Sequence, residues 1–320
     1  MNQTISRFLK NMHWSLVEKE KTKQEWKRML ETPAEGEHSV FYVINRSDYV
    51  GLFSYVEIVM RQIDYALRKG YIPVVDMRGS RNPYVEDGKE QTENWWELYF
   101  EQPAGHSVEE AYHSGRIEHA REENRSTIPY GGNSFTLKKS RWTWSAFYRT
   151  FFKPNETVRN YFEKEYETLM QSDGSRVLGV LVRGTDYKAA AGHPVMPEVD
   201  EVIAAVKKCM KRYDRIYLAT EEYANVKRFE SEFPGRVLVN QRMYYDAENF
   251  EGKTINEIRF ARENDKYLCG LEYLSSILLL SKCGGLVGGL CGGTVAAVYL
   301  NDYQYRDLVY FDKGRQGSPK

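Results

Sequence analysis

The chain has no surplus charge: of its 320 residues, 45 are Lys or Arg and 45 are Asp or Glu. General nucleic-acid binding wants a basic surplus and is set aside, while a local basic pocket for one small anion stays open. Cysteine is scarce. Cys209, Cys269, Cys283 and Cys291 all fall in the second half and show neither metal-ligand spacing nor a disulfide framework. Buried free thiols in a reducing compartment is the simplest reading. No apolar run approaches a membrane span, and Met1 to Lys10 has no signal-peptide core. The expectation is a cytoplasmic protein, with the inner face of the membrane as a variant of it. There are no repeats, no low-complexity tracts and no Asp-x-Asp pair. No Gly-x-Gly-x-x-Gly follows a strand where a dehydrogenase would need it.

What is present is a packed globular protein, 42% hydrophobic and long enough for two cores. Its best-defined stretch is Val177 to Val182, a Val- and Leu-rich run that reads as a strand buried on both faces. The run stops at Arg183-Gly184-Thr185-Asp186. Strands of an open parallel sheet present ligands at their carboxyl ends. Arg183 is then a permanent cation at a ligand crevice, shaped for a two-pronged grip on phosphate. An Arg183–Asp186 pair closing a structural loop is the plainer reading of the same residues.

The rest of the second half alternates strand and helix. Pro197 opens a helix, a strand over 215–219 ends in Thr220-Glu221-Glu222, and a strand follows at 236–239. Residues 240–262 read as a long charged loop. An apolar helix over 267–281 precedes a strand at 285–287, the turn Gly288-Gly289-Leu290-Cys291-Gly292-Gly293-Thr294, a helix over 295–300 and a strand over 307–311. This is a doubly wound, Rossmann-like pattern. Arg183, Thr220-Glu221 and the glycine-rich turn then share one crevice. The glycines let backbone crowd a ligand, the next helix offers its N-terminal N–H groups to phosphate, and Thr294 adds a hydroxyl.

The first half shows a helical pattern over 5–30, packed on the first domain or touching a membrane surface. A strand over 40–44, a helix from 56 ending at Lys69-Gly70 and a strand over 71–75 make a parallel α/β unit. Gly51 lies at its strand-to-helix turn. The segment Trp95 to Glu101 reads as a helix packing aromatics or as a wall of a sugar site, with Trp95 stacking and Glu97 or Glu101 handling a proton. Asn155 to Met170 is helical, and Gln171 to Ser175 is a polar linker that divides the chain into domains 1–170 and 171–320. His193 lies near Arg183 in sequence, as a loop-packing residue or on the acceptor side.

Val-Arg-Gly-Thr-Asp-Tyr resembles the first motif of the fucosyltransferase superfamily of alpha-1,6-, nodulation and protein O-fucosyltransferases. Arg183, Thr185 and Asp186 match, while Leu181 stands for a frequent His and Gly184 for a frequent second Arg. The segment Gly51-Leu52-Phe53-Ser54 is similar to the family's glycine turn, with Ser54 for its second glycine. Ile216 to Glu222 resembles the second motif. Leu274 to Ser281 with the glycine-rich turn resembles the third. There Cys291-Gly292-Gly293 replaces Ser-Ser-Gln, and Ser276 replaces an acid that binds guanine.

The resemblance implies an α/β GT-B architecture, two Rossmann-like domains whose parallel sheets face a cleft. The second domain would bind the nucleotide-sugar donor and the first the acceptor. It implies a GDP-sugar donor, GDP-fucose first, a glycan acceptor, inverting transfer and no metal or other cofactor. Arg183 would be the catalytic cation. Gly51, Phe53, Ser54, Gly184, Thr185, Asp186, Thr220, Glu221, Cys291, Gly292, Gly293 and Thr294 would line the donor. The family's catalytic carboxylate has no match, which keeps open a non-catalytic nucleotide-sugar-binding protein. The replaced base-binding positions keep open another nucleotide sugar.

Overall fold

The computed structural model describes residues 24, 39–46, 50–79, 82–124, 126, 138–171, 173–184, 192–246 and 257–317. Apart from residue 24, the helix expected over 5–30 lies outside them, as do Thr185, Asp186 and the middle of the 240–262 loop.

The first sheet is parallel and three-stranded. It holds β1 (Phe41–Ile44), β2 (Ile72–Val75) and β3 (Ile117–His119) in the order β2-β1-β3. Strand β1 is apolar throughout because both its faces are covered. Tyr42 and Ile44 share a core with helix α1 (Leu52–Arg68), and Phe41 and Val43 one with helix α3 (Val108–His113). Between them lies the short helix α2 (Trp95–Tyr99). Helix α1 ends in a Schellman turn, Tyr71 N–H donating to Ala66 O and Gly70 N–H to Leu67 O. Helix α3 and strand β3 are absent from the sequence reading, although Ser107 and Glu110 form a capping box at α3.

Helices α4 (Lys138–Phe151) and α5 (Glu156–Met170) lead to the second sheet. Asn155 starts α5 by accepting from Val158 N–H. The second sheet comprises β4 (Val177–Leu181), β5 (Arg215–Ala219), β6 (Val237–Leu238), β7 (Gly285–Gly289) and β8 (Asp307–Phe311). All are parallel, in the order β6-β5-β4-β7-β8. Leu178 and Val180 of β4 face helices α6 (Val199–Cys209) and α7 (Tyr223–Glu232). Val177 and Leu181 face helices α8 (Asp265–Lys282) and α9 (Gly292–Leu300). Each fully buried side chain of this size stabilises by roughly 1.5–3 kcal/mol.

Several boundaries differ from the sequence reading; α1 begins at Leu52 and not at 56, and three more lie around α6, β7 and α9. Helix α6 begins after Pro197, at Val199, where Glu201 accepts from Glu198 N–H. Strand β7 continues through Gly288 and Gly289, and α9 begins at Gly292, so the turn is only Leu290-Cys291. Among the described residues, no helix is long and apolar enough to cross a membrane.

Candidate functional site

Arg183 leaves the carboxyl end of β4, and its side chain is 9% exposed. The pairing of Leu181 with Ala219 brings the end of β5 alongside. Glu221, just beyond β5, is buried. Its Oε2 lies 3.6 Å from Arg183 Nη1, and its Oε1 accepts from Gly184 N–H at 2.7 Å. One carboxylate thus fixes both the guanidinium and the loop that carries it. Glu221 is Arg183's described ion-pair partner, whereas Asp186 lies outside the described residues. On its other side, Arg183 lies over the ring of Tyr273 in α8, 4.9 Å from the centroid. Cation–π attraction is strongest where water is excluded.

The second motif is largely turned inward. Thr220 Oγ1 accepts from Asn225 Nδ2 at 3.1 Å and from Glu222 N–H at 3.3 Å, so it caps the turn into α7. A Cβ on Gly184 would collide with the Glu222 carboxylate. A side chain there, such as the Arg frequent in the resembling family, requires Glu222 to swing away.

The N-terminal ends of α1 and α9 meet beside Tyr273. Gly51 caps α1 and opens on space, and Ser54 in its first turn is exposed. Phe53 is buried. It lies edge-on to Tyr273, ring centroids 5.3 Å apart, and a Cβ on Gly292 would sit 3.2 Å from Phe53 Cβ. A Cβ on Gly293 would sit 2.8 Å from Tyr273 Oη. Both glycines allow close approach between helices. Phe53 is a packing wedge and not a wall of the site. Cys291 is buried, and Thr294 is fully buried with its hydroxyl donating to Gly289 O at 2.5 Å. Thr294 therefore holds the turn together and offers no outward hydroxyl. Two helix N-termini, each with a partial positive charge, thus lie within one side chain of Arg183.

His193 is exposed, in a segment whose backbone pairs with residues 314–316. Burial pushes its imidazole below the usual range, and the Arg183 and Arg315 cations push it further. It therefore feels the charge of Arg183. The proposed acceptor residues separate. Trp95 is fully buried, 4.8 Å from the Tyr55 ring and 5.3 Å from the Tyr84 ring. It cannot stack on a sugar: α2 turns Trp95, Trp96 and Tyr99 inward. Glu101 pairs with Arg159 on the surface. Glu97 lines a cleft of about 350 Å³ with Tyr84, Glu86, Lys89 and Tyr267.

The sequence reading missed Tyr273, hidden in an apolar helix, and the tie between Glu221 and Arg183, which depends on strand register. Among the described residues, no group of three or more His, Cys, Asp or Glu side chains is gathered as metal ligands would be.

No protein-family model matches the chain, and no curated protein does. Solved structures do. NodZ alpha-1,6-fucosyltransferase soaked with GDP-fucose superposes with a TM-score of 0.56 at 18% identity, over 88% of this chain and 98% of that one. Selenomethionine fucosyltransferase NodZ from Bradyrhizobium gives 0.54 at 18% identity over 88% and 98%. NodZ co-crystallized with GDP gives 0.51 at 17% identity over 82% and 92%. At this identity the likeness speaks for the backbone, and on that ground the chain has a fucosyltransferase-like GT-B fold.

Proposed function

We propose that the chain is an inverting glycosyltransferase that takes its sugar from a GDP-sugar, GDP-fucose first, and places it on a glycan. A surface polysaccharide or lipid-linked saccharide is the proposed acceptor, and the cytoplasm the proposed location. The observation that carries the reading is Arg183 at the end of β4, braced by Glu221 and Tyr273 where α1 and α9 begin. The NodZ structures with GDP and GDP-fucose share the fold and support this donor class.

In this reading an acceptor hydroxyl attacks the anomeric carbon while the bond from that carbon to the diphosphate oxygen breaks. The electron pair leaves with the nucleoside diphosphate. Arg183 and the two helix N-termini answer the growing negative charge, and Glu221 and Tyr273 keep the guanidinium oriented in advance. The charge is larger in the transition state than in the ground state, so the help is catalytic. The chain has no Asp-x-Asp pair to hold a divalent ion, and Arg183 supplies the cation in its place. The proton of the acceptor hydroxyl passes to a base that the described residues do not identify.

Incubation with GDP-fucose, with release of GDP followed in time and with EDTA added, tests the reading. GDP release that persists in EDTA is expected. Arg183→Ala should lower turnover about 10²–10³-fold, the usual cost of one preorganised donor. Arg183→Lys should recover part, because an ammonium lacks the fork. Near-normal turnover in Arg183→Ala would sink the assignment. GDP binding without any release of sugar would favour the non-catalytic alternative.

A further inference from the structure

The cleft beside Glu97 is walled by four stretches of chain: the loop between β2 and α2, helix α2 itself, and the starts of α5 and α8. Its volume of about 350 Å³ falls within the roughly 300–1,000 Å³ of small-ligand sites. The walls are tied to one another. Glu86 accepts from the Lys266 and Tyr267 N–H groups at 2.8 and 3.4 Å, so the loop caps α8. Asn155, at the start of α5, donates through Nδ2 to Glu97 O at 2.9 Å, and the Tyr99 hydroxyl of α2 donates to Tyr267 O at 3.0 Å. A cleft held in this way is formed before a ligand arrives, which lowers the cost of binding.

The lining has polar groups to spare. Tyr267 is half-buried, and its ring stacks on that of Tyr99 with centroids 5.4 Å apart, so its plane is fixed. Among the described residues, the Tyr267 hydroxyl, the Thr157 hydroxyl and the Asn264 amide form no hydrogen bond. Glu97 is exposed and commits one oxygen, Oε1, to Gln102 Nε2 at 2.9 Å. The lining carboxylates Glu86, Glu93 and Glu97 outnumber the cation Lys89, which Glu93 already holds at 3.2 Å. An anionic ligand is therefore repelled. A carboxylate that accepts, hydroxyl and amide groups that both donate and accept, and a fixed aromatic ring suit an uncharged ligand rich in hydroxyls with an apolar C–H face.

We propose that this cleft is a saccharide site, and that it holds an uncharged sugar unit of the acceptor away from the reacting hydroxyl. The proposal rests on the glycosyl-transfer reading above. The cleft is distinct from the Arg183 crevice. Tyr267 lines the one and Tyr273 the other, and they lie six residues apart on α8, about 9 Å along its axis and about 120° around it. Glu97 accepts from sugar hydroxyls, and Thr157, Asn264 and Tyr267 complete the hydrogen bonds around the ring. A grip of this kind falls on a part of the substrate that does not react. Remote binding energy of that sort orients the part that does.

An array of immobilised neutral oligosaccharides (of glucose, galactose, mannose and N-acetylglucosamine) beside oligogalacturonate, probed with the full chain with and without saturating GDP, tests this. Binding to a neutral oligosaccharide is expected, with none to oligogalacturonate and no displacement by GDP. Glu97→Ala should weaken that binding about tenfold or more, the scale of hydrogen bonds to a charged group. Thr157→Trp, at an exposed position, fills the cleft and should weaken it as far; it carries the test if the first variant does not fold. Affinity for GDP, read by calorimetry, should stay unchanged in both. No binding to any neutral oligosaccharide, a preference for oligogalacturonate, or binding unchanged in the folded variants overturns the inference, and leaves the donor reading standing where the chain still releases GDP from GDP-fucose. Saccharide binding that both variants abolish, in a chain that releases no GDP, sinks the transfer reading and keeps the saccharide site.

Discussion

His193 ties the acidity of one residue to the charge state of the site. Its pKa is depressed, by burial first and by Arg183 and Arg315 after it. A His held neutral in the fold contributes stability that is present above its unfolded pKa, about 6.5, and is lost as pH falls through the lower folded value. Thermal melts should therefore weaken on acidification below about pH 6.5, and His193→Gln should remove part of that slope. A diphosphate on Arg183 cancels one of the causes and raises the His193 pKa. Donor binding is then expected to take up protons and to tighten as pH falls through the same range. Titration of GDP at pH 5.5–7.5 in two buffers of different ionisation enthalpy checks this. An affinity flat across the range, or equally steep in His193→Gln, would exclude His193 from the field of the site. Trp95 is the contrary case: its surroundings are apolar rings, and no titration of the site should feel it.

At the scale of the element, the residue types at the start of α9 follow packing and run against helix propensity. Glycine costs about 1 kcal/mol inside a helix, which is why the sequence places the helix start at Val295. Gly292 and Gly293 lie inside α9 all the same, and they are glycine because Phe53 and Tyr273 crowd the places their Cβ atoms would take. Gly293→Ala should destabilise by about 1–3 kcal/mol, the usual cost of overpacking. The nearest atom is Tyr273 Oη, so Tyr273→Phe should recover part of the loss, with Ile277 Cδ1 at 2.9 Å limiting the recovery. A double-mutant cycle on denaturant melts measures this, and strict additivity would contradict the contact. The same two elements show what was legible. Strand β4 was readable because burial on both faces leaves an unbroken apolar run. The contacts of Arg183 were not, because Glu221 reaches it through strand register and Tyr273 through the docking of α8. The faces of α2 were unreadable for a different reason: a helix of 5 residues is too short for periodicity to separate inward from outward rings.

At the scale of the whole molecule, the core does not stop between the sheets. A single apolar cluster runs from Tyr42 and Ile44 of β1 through α1 and Trp144 of α4 to Leu274 of α8, Ala296 of α9 and Tyr217 of β5. Helices α4 and α5 precede residue 171, yet they dock on elements that follow it. Ser145 donates to Tyr299 O at 2.8 Å, the Trp144 ring stacks on the Tyr299 ring, and Glu165 accepts from Ser275. A chain divided at 171 would expose the faces of α4 and α5 on one piece and of α8 and α9 on the other. The two sheets are therefore expected to unfold together, in one calorimetric transition whose van't Hoff and calorimetric enthalpies agree. A donor bound at Arg183 should shift that whole transition. GDP at about 100 times its dissociation constant adds roughly 2.7 kcal/mol to the folded state as one unit. Two resolved transitions, with GDP moving only the later residues' transition, would show that the shared core does not couple the sheets and that the boundary at 171 separates two folding units.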